Sequence, residues 1–342
     1  MEVAIVGATG YSGLELIRLL HQHPYVSIHS LYRMHQDGTS LSDLYPHLEN
    51  VYRGLFKPFD PAVIMAETDM IFFATPSGIA KLQAGPFIEA DFPVIDLSGD
   101  FRLPKAVYEK WYRSTAAEPR YFEKAQYGLA ENGNEIYSSL ISNPGCYATA
   151  VLLALKPIAE SQYTVNETVI VDAKSGLSGA GKTPTMTSHF SQMNENMQMY
   201  KPDAHQHIPE IEQQLQKWRP GFPRIQFQTS LIPVTRGIFA TIYIKMPADF
   251  SIKAFYQYYQ KQYQHARFVR VQPEGQLPEL KQVVGSNYCD IGLVYNERTG
   301  WLTIVSVIDN LVKGAAGQAI QNMNRYFHFD EQAGLDVVPL YP

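Results

Sequence analysis

The sequence has only two cysteines, Cys146 and Cys289, and no long apolar run. Two isolated cysteines form neither a Cys-x-x-Cys motif nor a disulfide framework, which argues against a small disulfide-stabilised protein. No stretch reaches the ~18 consecutive apolar residues that a membrane-spanning helix needs. The first residues lack the basic segment and the cleavage site of a signal peptide. We therefore expect a reduced cytoplasmic protein that does not associate with a membrane.

A strong charge of either sign is also missing. The chain has 28 Lys and Arg residues against 33 Asp and Glu residues, and the net charge of −5 is spread along it. Because nucleic-acid-binding proteins usually carry a basic patch, we expect no nucleic-acid partner. The 342 residues, of which 45% are hydrophobic, are enough for two domains with separate cores.

The first part of the chain alternates short apolar runs with amphipathic segments. A helical pattern of leucines and isoleucines follows the first run. Another helix-like segment reaches about Ala90. The alternation predicts a Rossmann-type, doubly wound α/β domain with a parallel sheet. The predicted strands are Glu2–Val6, Val26–Tyr32, Asp69–Ala74 and Val94–Leu97.

After about Pro144 the predicted strands become longer and richer in β-branched residues. They are Thr168–Ala173, Gln226–Leu231, Gly237–Met246 and Leu302–Ile308, with a helix at Ile252–Tyr263. This pattern predicts an α+β domain with a mostly antiparallel sheet. Asn310–Tyr326 is predicted to form one long final helix. We expect a nucleotide-binding domain at 1–145, completed by 310–342, and a catalytic and dimerisation domain at 146–309.

A glycine-rich loop separates the first strand from the first helix. Glycines allow a tight turn there, and the helix N-terminus presents N–H groups to phosphates. A plain strand-to-helix turn is the alternative, but the position directly after the first strand favours a dinucleotide site. The predicted cofactor-binding residues of this loop are Gly7, Thr9, Gly10, Tyr11, Ser12 and Gly13.

The end of the second predicted strand bears on the choice between NAD and NADP. NAD sites usually place an acidic residue there to bind the ribose 2′-hydroxyl. Here Arg33 follows Tyr32, and no acid occurs until Asp37. An arginine pairs well with a 2′-phosphate, although it can also be an ordinary surface residue. The sequence therefore favours NADPH and NADP+ as the cofactor pair.

Cys146 lies in the sequence Asn143-Pro144-Gly145-Cys146-Tyr147. Asn-Pro-Gly is typical of a turn, and a helix is predicted from Ala148 to Lys156. The N-terminus of a helix lowers the pKa of a thiol and can bind an oxyanion. A buried cysteine that acts as a small hydrophobe is the alternative. We predict that Cys146 is a nucleophile and that Cys289 is structural.

Several motifs run through the chain in an order that resembles the N-acetyl-gamma-glutamyl-phosphate reductase family, within the wider aspartate-semialdehyde dehydrogenase superfamily. Together they are specific, although most are weak alone. The chain departs from the family pattern at Ser77, Gly99 and Gln206. The matching stretches are Gly7–Gly13, Asp96–Leu103, Asn143–Tyr147, Lys174–Lys182, His205–Glu212, Pro233–Gly237, Gly285–Asn287 and Asp309–Gln318.

The resemblance implies NADPH-dependent reduction of N-acetyl-L-glutamyl 5-phosphate to N-acetyl-L-glutamate 5-semialdehyde in arginine biosynthesis. Cys146 would displace phosphate to form a thioester, and hydride transfer would then release the aldehyde. The expected partners are therefore a small acyl-phosphate substrate and further copies of the chain, in a homodimer or homotetramer.

The proposed route also needs a proton donor. His205 and His207 precede Pro209, which suits the first turn of a helix. In an extended segment the two rings would face opposite ways, and the resemblance favours His207 as the donor. Glu210 would orient it or anchor the substrate, or would simply be an acid favoured in a first turn. His-x-His-x-x-Glu could also bind a metal, but we expect no metal.

The substrate carries a phosphate and a carboxylate, and both suit arginine. We predict that Arg102 binds the phosphate and Arg236 the carboxylate, with structural ion pairs as the alternative for each. The resemblance adds Asn143 to the substrate site. It assigns four residues to the cofactor: Thr75, Ser178, Gly179 and Asn310. A helix N-cap is the alternative role of Asn310.

Three other functions remain open at this point. Aspartate-semialdehyde dehydrogenase would run the same chemistry on a smaller acyl phosphate. A reductase of a carrier-bound aminoadipyl phosphate would need basic residues to receive an acidic carrier, and the net charge of −5 does not favour it. A non-catalytic NADP-binding sensor could retain the fold. It would not need Cys146, His207, Arg102 and Arg236 together.

Overall fold

The structure is a computed structural model that describes residues 1–33, 39–52, 54–133 and 135–341. It divides into two compact units. The first consists of residues 1–145 and 315–336, and the second of residues 146–314 and 337–342. Cys146 is therefore the first residue of the second unit.

The first unit contains a parallel sheet, as predicted. Its apolar strands are buried on both faces, which is typical of a parallel sheet covered by helices. Within the described residues the strand order is β2-β1-β3-β4-β6-β5, and every pair is parallel. The strands are β1 (Glu2–Val6), β2 (Ser27–Tyr32), β3 (Met70–Phe73), β4 (Val94–Asp96), β5 (Gln126–Tyr127) and β6 (Leu140–Ser142).

The helices of this unit are mostly short. The helix-like segment predicted up to Ala90 is two helices rather than one, because Pro86 lacks an N–H group and begins a new first turn. The α-helices that precede β6 are α1 (Tyr11–Leu20), α2 (Leu41–Leu44), α3 (Pro61–Glu67), α4 (Ala80–Gln83), α5 (Gly85–Glu89), α6 (Lys105–Tyr112) and α7 (Pro119–Lys124).

The second unit is built on a mixed, mostly antiparallel sheet, which confirms the predicted fold class. In the described part of the unit the strand order is β11-β12-β13-β10-β7-β9-β8. Only the pairs β7–β9 and β11–β12 are parallel. The strands are β7 (Val169–Ser175), β8 (Gln198–Met199), β9 (Ile225–Leu231), β10 (Ile238–Lys245), β11 (Val269–Val271), β12 (Cys289–Asn296) and β13 (Trp301–Ile308).

Helices cover one face of this sheet. The helices are α8 (Cys146–Glu160), α9 (Phe190–Met193), α10 (His207–Trp218) and α11 (Ile252–Tyr263). Helix α8 is buried almost all round and packs on β10, β13 and α10. Along β10, Ile238, Ala240, Ile242 and Ile244 are buried, whereas Tyr243 is exposed on the other face. The site residues of α8 thus project from a central core helix.

The prediction of one final helix over Asn310–Tyr326 is wrong at the N-terminal end. A turn at residue 310 leads into a π-helical turn at Val312–Ala316, and helix α12 spans only Gly317–Tyr326. The reason is local: the N–H of Gly314 donates to the carbonyl of Asp309, five residues earlier, instead of continuing an α-helical ladder. Across the described ranges, no helix is both long and apolar enough to cross a membrane.

Candidate active site

Cys146 is the first residue of α8 and lies partly exposed at its N-terminus. The first N–H groups of a helix have no partner within the helix itself, so this position favours a thiolate or an oxyanion. Gly314 lies directly against the cysteine. A Cβ atom added to Gly314 would lie 2.7 Å from the Cβ of Cys146 and 3.1 Å from its Cα. Cys146 is therefore packed tightly from one side.

A buried cluster of aromatic and imidazole rings lies next to Cys146 along α8. The Tyr147 ring packs edge-to-face on His205 and His207, with centroids 5.2 and 6.1 Å away. The hydroxyl of Tyr200 donates to that of Tyr147 over 2.9 Å. Burial is the main cause of the raised pKa of both tyrosines, and the charge of the Cys146 thiolate raises both further. Both hydroxyls are therefore protonated at neutral pH, close to the thiol.

The two histidine rings do not face opposite ways, contrary to the sequence prediction. Their centroids are 4.6 Å apart and the rings meet edge-to-face. The prediction assumed an extended segment, but Gln206 has helical backbone angles and His207 is already the first residue of α10. Both rings therefore enter the same cluster.

His205 is unsuited to donate a proton as an imidazolium ion. Its Nδ1 accepts the backbone N–H of His207 over 3.2 Å, which leaves the proton of the neutral ring on Nε2. Burial, followed by the nearby charges of His207 and Lys201, lowers the pKa of His205 to about 2. His205 therefore stays neutral, which leaves His207 as the better candidate for the proton donor.

We expect His205→Asn to remove part of the acid sensitivity of the fold. Below pH 6.5 an unfolded chain protonates this histidine, whereas the folded chain does not until about pH 2. The contribution of the neutral His205 to the free energy of unfolding is therefore complete above pH 6.5. Below that pH it falls by about 1.4 kcal/mol per pH unit. Between pH 7 and pH 5 the unmodified chain should lose about 2 kcal/mol more than the variant in urea unfolding.

The matched control is His265→Asn, since His265 is exposed. It should keep the pH dependence of the unmodified chain. Equal losses for the unmodified chain and His205→Asn would show that His205 titrates normally in the fold.

Glu210 lies three residues after His207 on the same face of α10 and is completely buried. An acid that is present only to complement the helix dipole would lie at the surface. A fully buried carboxylate instead needs a specific use, because burying a charge costs free energy unless it is paired. Burial argues against the dipole alternative, and the orienting or anchoring role of Glu210 stays a prediction.

Arg236 and Asp309 form a half-buried ion pair in the second unit. Nη1 of Arg236 donates to Oδ2 of Asp309 over 3.1 Å, and the arginine side chain is 24% exposed while the aspartate is fully buried. Asp309 was not predicted as a site residue. The sequence feature that could have indicated it is an acidic residue directly after the last residue of a long apolar strand.

Three predicted cofactor residues come together in the same unit. The side-chain amide of Asn310 donates to the hydroxyl of Ser178 over 3.0 Å, and its oxygen accepts the N–H of Gly237 over 2.8 Å. A Cβ atom on Gly179 would lie 3.7 Å from the same amide. Asn310 is not a helix N-cap. Asp309 caps instead, since its Oδ1 accepts the N–H groups of Leu311 and Val312.

The predicted glycine loop lies between β1 and α1 in the first unit. Gly7 has a φ of +84°, and a Cβ there would be 2.4 Å from the carbonyl oxygen of Ala74. A Cβ on Gly13 would be 2.3 Å from the carbonyl of Gly7, whereas Gly10 has ordinary space and caps α1. The backbone carbonyl of Thr9 accepts the hydroxyl of Tyr45 over 2.7 Å. Tyr11 and Ser12 are the first residues of α1, where backbone N–H groups have no acceptor within the helix.

Two further predicted cofactor residues lie in this unit. The hydroxyl of Thr75, after β3, is a buried atom without a hydrogen-bond partner among the described residues, as a ligand-facing group would be. Arg33 follows β2, donates to the hydroxyl of Thr39 and lies over the Phe56 ring, 4.6 Å from its centroid. Residues 34–38, which include Asp37, lie outside the described residues.

The predicted substrate residues of the first unit also hold its loops together. Arg102 is buried and donates to the carbonyls of Asn143 and Leu97, each over 2.8 Å. The amide of Asn143 donates to the carbonyl of Ala315, and its oxygen accepts the amide of Asn322, each over 3.1 Å. These contacts are structural. Substrate binding by Arg102 and Asn143 therefore stays a prediction.

Asp100, in the same motif as Arg102, anchors the loop that follows Thr75. Its carboxylate accepts the N–H of Gly78 over 2.7 Å, the N–H of Lys81 over 3.1 Å and the hydroxyl of Tyr108 over 2.7 Å. Burial and the charge of Asp100 raise the pKa of the neighbouring Asp96. The Asp96–Leu103 motif, which follows β4, thus holds the loop that follows β3.

Cys289 is fully buried on β12, 3.5 Å from the hydroxyl of Ser306, and neither cysteine is in a disulfide. No group of three His, Cys, Asp or Glu side chains within the described ranges is arranged to hold a metal ion.

Two family models match the chain. The NAD-binding domain of semialdehyde dehydrogenases matches residues 2–139, and the dimerisation domain of semialdehyde dehydrogenases matches residues 146–310. Among curated relatives, the N-acetyl-gamma-glutamyl-phosphate reductase of Listeria innocua is 55% identical over the full length of both chains. The enzyme of the same name from a Geobacillus species is 49% identical, again over the full length of both.

Solved structures match in fold. Aspartate semialdehyde dehydrogenase II of Vibrio cholerae is 18% identical with a TM-score of 0.69, and the match covers 96% of this chain and 98% of that one. The aspartate semialdehyde dehydrogenase of Candida albicans is 17% identical with a TM-score of 0.66, over 97% and 98% of the two chains.

Proposed function

The chain belongs to the N-acetyl-gamma-glutamyl-phosphate reductase family, and from this premise we propose how its residues carry out the reaction. The reaction reduces N-acetyl-L-glutamyl 5-phosphate to N-acetyl-L-glutamate 5-semialdehyde with release of phosphate, a step of arginine biosynthesis. One observation carries the proposal. Cys146 opens the buried helix α8, and the next residue packs against His207, which heads α10 with Glu210 one turn later.

In the first step the Cys146 thiolate attacks the acyl carbon. The new C–S bond replaces the bond between the acyl carbon and the phosphate oxygen, and phosphate leaves with the electron pair. Backbone N–H groups at the start of α8 stabilise the negative charge that develops on the acyl oxygen. The product of this step is a thioester on Cys146.

In the second step His207 moves a proton. A bound nicotinamide cofactor supplies the hydride that reduces the thioester carbon. His207 donates a proton to the resulting oxyanion, and takes it back as the C–S bond breaks and the aldehyde leaves. Glu210, buried on the same helix face, holds the His207 ring in its orientation. Cys146 is thereby regenerated as a thiolate.

Arginines bind the two anionic ends of the substrate. Arg236 takes the carboxylate, supported by its partly exposed side chain and its ion pair with Asp309. Arg102 takes the phosphate, with Asn143 beside it through the hydrogen bond to its carbonyl. Arginine suits both anions because its planar guanidinium binds them with two parallel hydrogen bonds.

The residues of the first unit fit a dinucleotide. The glycine loop leaves no room for side chains at Gly7 and Gly13, and the buried hydroxyl of Thr75 has no partner among the described residues. In the second unit Ser178, Gly179 and Asn310 would hold the carboxamide side of the nicotinamide. Arg33 would bind a 2′-phosphate, so we propose NADPH rather than NADH as the reductant.

We expect Arg33→Gln to raise the KM for NADP+ about 10- to 100-fold, because charge-assisted hydrogen bonds to a phosphate contribute about 1.5–3 kcal/mol. The KM for NAD+ should change less than about twofold, since NAD+ has no 2′-phosphate. Arg120→Gln is the matched control, because Arg120 also lies over an aromatic ring, that of Tyr121, but on an exposed surface. Equal effects on both cofactors would argue against 2′-phosphate binding.

The second unit would also join copies of the chain. One face of its sheet is not covered by its helices, and this face carries the exposed apolar residues Ile170, Tyr243 and Val294. The family model that covers this unit is a dimerisation domain. We propose a homodimer or homotetramer that buries this face, to be tested by the mass in sedimentation equilibrium. A monomer at micromolar concentration would contradict it.

The reverse reaction tests the proposed function directly. The protein is incubated with NADP+, phosphate and a semialdehyde, and the absorbance of NADPH is followed. We expect turnover with N-acetyl-L-glutamate 5-semialdehyde and none without phosphate. Turnover with aspartate semialdehyde but not with the acetylglutamate compound would overturn the substrate assignment.

A further inference from the structure

Asp309 is a fully buried carboxylate that accepts hydrogen bonds on both oxygens. Oδ1 accepts the N–H groups of Leu311 over 2.8 Å and Val312 over 3.2 Å. Oδ2 accepts the N–H of Gly285 over 2.7 Å and Nη1 of Arg236 over 3.1 Å. A buried charge is tolerated when it is paired and hydrogen-bonded in this way.

Each oxygen controls a different neighbour. Through Oδ2, Asp309 accepts a hydrogen bond from one edge of the Arg236 guanidinium. The orientation of the guanidinium is therefore set by a buried partner rather than by solvent. Through Oδ1 and its backbone carbonyl, which accepts the N–H of Gly314, it forms the turn that precedes Gly314. Gly314 in turn lies against Cys146.

The segment around Arg236 is held at the same place by backbone hydrogen bonds. The N–H of Ser178 donates to the carbonyl of Thr235 over 3.0 Å, and the N–H of Gly237 donates to Asn310 over 2.8 Å. The backbone on either side of Arg236 is therefore fixed, and the ion pair with Asp309 fixes its side chain. Arginine suits this use because its donors lie on more than one edge of a rigid plane.

We propose that Asp309 is a positioning residue for the reaction: it aims Arg236 at the substrate carboxylate and sets the turn that supports Cys146. This inference rests on the proposed function, in which Arg236 binds that carboxylate. It predicts that changes at Asp309 raise the KM for the carboxylate-bearing semialdehyde. The KM values for phosphate and NADP+, the other two substrates of the reverse reaction, should stay nearly unchanged.

The test is the reverse assay with Asp309→Asn, which keeps the shape but replaces one acceptor oxygen by an amide donor. We expect the KM for N-acetyl-L-glutamate 5-semialdehyde to rise about 10-fold or more, as a lost charge-assisted hydrogen bond implies. The KM values for phosphate and NADP+ should stay within about twofold. Asp309→Glu keeps the charge but moves it, and should show the same selectivity if Asp309→Asn does not fold.

Asp290→Asn is the matched control. Asp290 is also a buried aspartate of the second unit that pairs with an arginine, since Arg270 donates to it over 2.6 and 2.9 Å. This variant should lose stability without a selective change in the KM for the semialdehyde. If Asp290→Asn and Asp309→Asn change all three KM values alike, Asp309 is only a structural residue.

A double variant tests whether Asp309 acts through Arg236. In the background of Arg236→Lys, which already binds the carboxylate poorly, Asp309→Asn should have little further effect on the KM for the semialdehyde. Full additivity would overturn the inference. Failure of the proposed function is distinguishable, because the unmodified protein would then show no phosphate-dependent turnover at all.

Discussion

Replacing Cys146 with serine is expected to lower kcat for reduction of the acyl phosphate by at least about a thousandfold. A serine hydroxyl is a far weaker nucleophile than a thiolate at neutral pH, so the thioester route stops at its first step. The loss should lie in kcat because the nucleophile contributes to chemistry rather than to binding. Binding of NADPH, measured by fluorescence titration, should change less than about twofold.

Cys289→Ala is the control for this prediction. Cys289 is fully buried on β12, and its loss should cost some stability but leave kcat unchanged. Incubation of the unmodified protein with the acyl phosphate and without NADPH should add one acyl group to the peptide that contains Cys146, detectable by mass spectrometry. Retention of a tenth of the activity in Cys146→Ser would refute the thioester mechanism.

The fold was largely predictable because its strands are short apolar runs of clear period. The strands β1 to β4 and helix α11 lie within two residues of their predicted bounds. The local position of Cys146 was also predictable, since Asn-Pro-Gly followed by alanine-rich sequence is typical of a turn before a helix. These features depend on residues close together in sequence.

Features that depend on long-range contacts were not predictable. The prediction of opposed rings for His205 and His207 failed because the backbone angles of Gln206 are helical, and neighbouring side chains do not reveal this. The π-helical turn before α12 depends on the hydrogen bond from the N–H of Gly314 to the carbonyl of Asp309. The sequence pattern of this segment also fits an α-helix, so it does not reveal the turn. The ion pair of Asp309 with Arg236 joins residues 73 positions apart, and a single sequence does not show such a pair.

Gly314→Ala is expected to lower kcat about a hundredfold, which is the typical cost of a displacement of about 1 Å in the reacting groups. The added methyl group would lie 2.7 Å from the Cβ of Cys146, 3.1 Å from its Cα and 3.3 Å from Cδ1 of Ile308. Because one of these contacts is with backbone, a side-chain rotation cannot relieve it. Cys146 itself must move, while the arginines and the cofactor-binding residues stay in place.

The KM values should therefore change little, and the alkylation rate of Cys146 by iodoacetamide should change together with kcat. Overpacking of this size costs about 1–3 kcal/mol, so the variant should still fold. Gly221→Ala is the control, because Gly221 has a φ of +81° but nothing within 4 Å of an added Cβ. The Gly221→Ala variant has backbone strain but no new contact with Cys146, so it should keep full kcat. Normal turnover in Gly314→Ala would mean that the position of Cys146 does not depend on the turn that Asp309 forms.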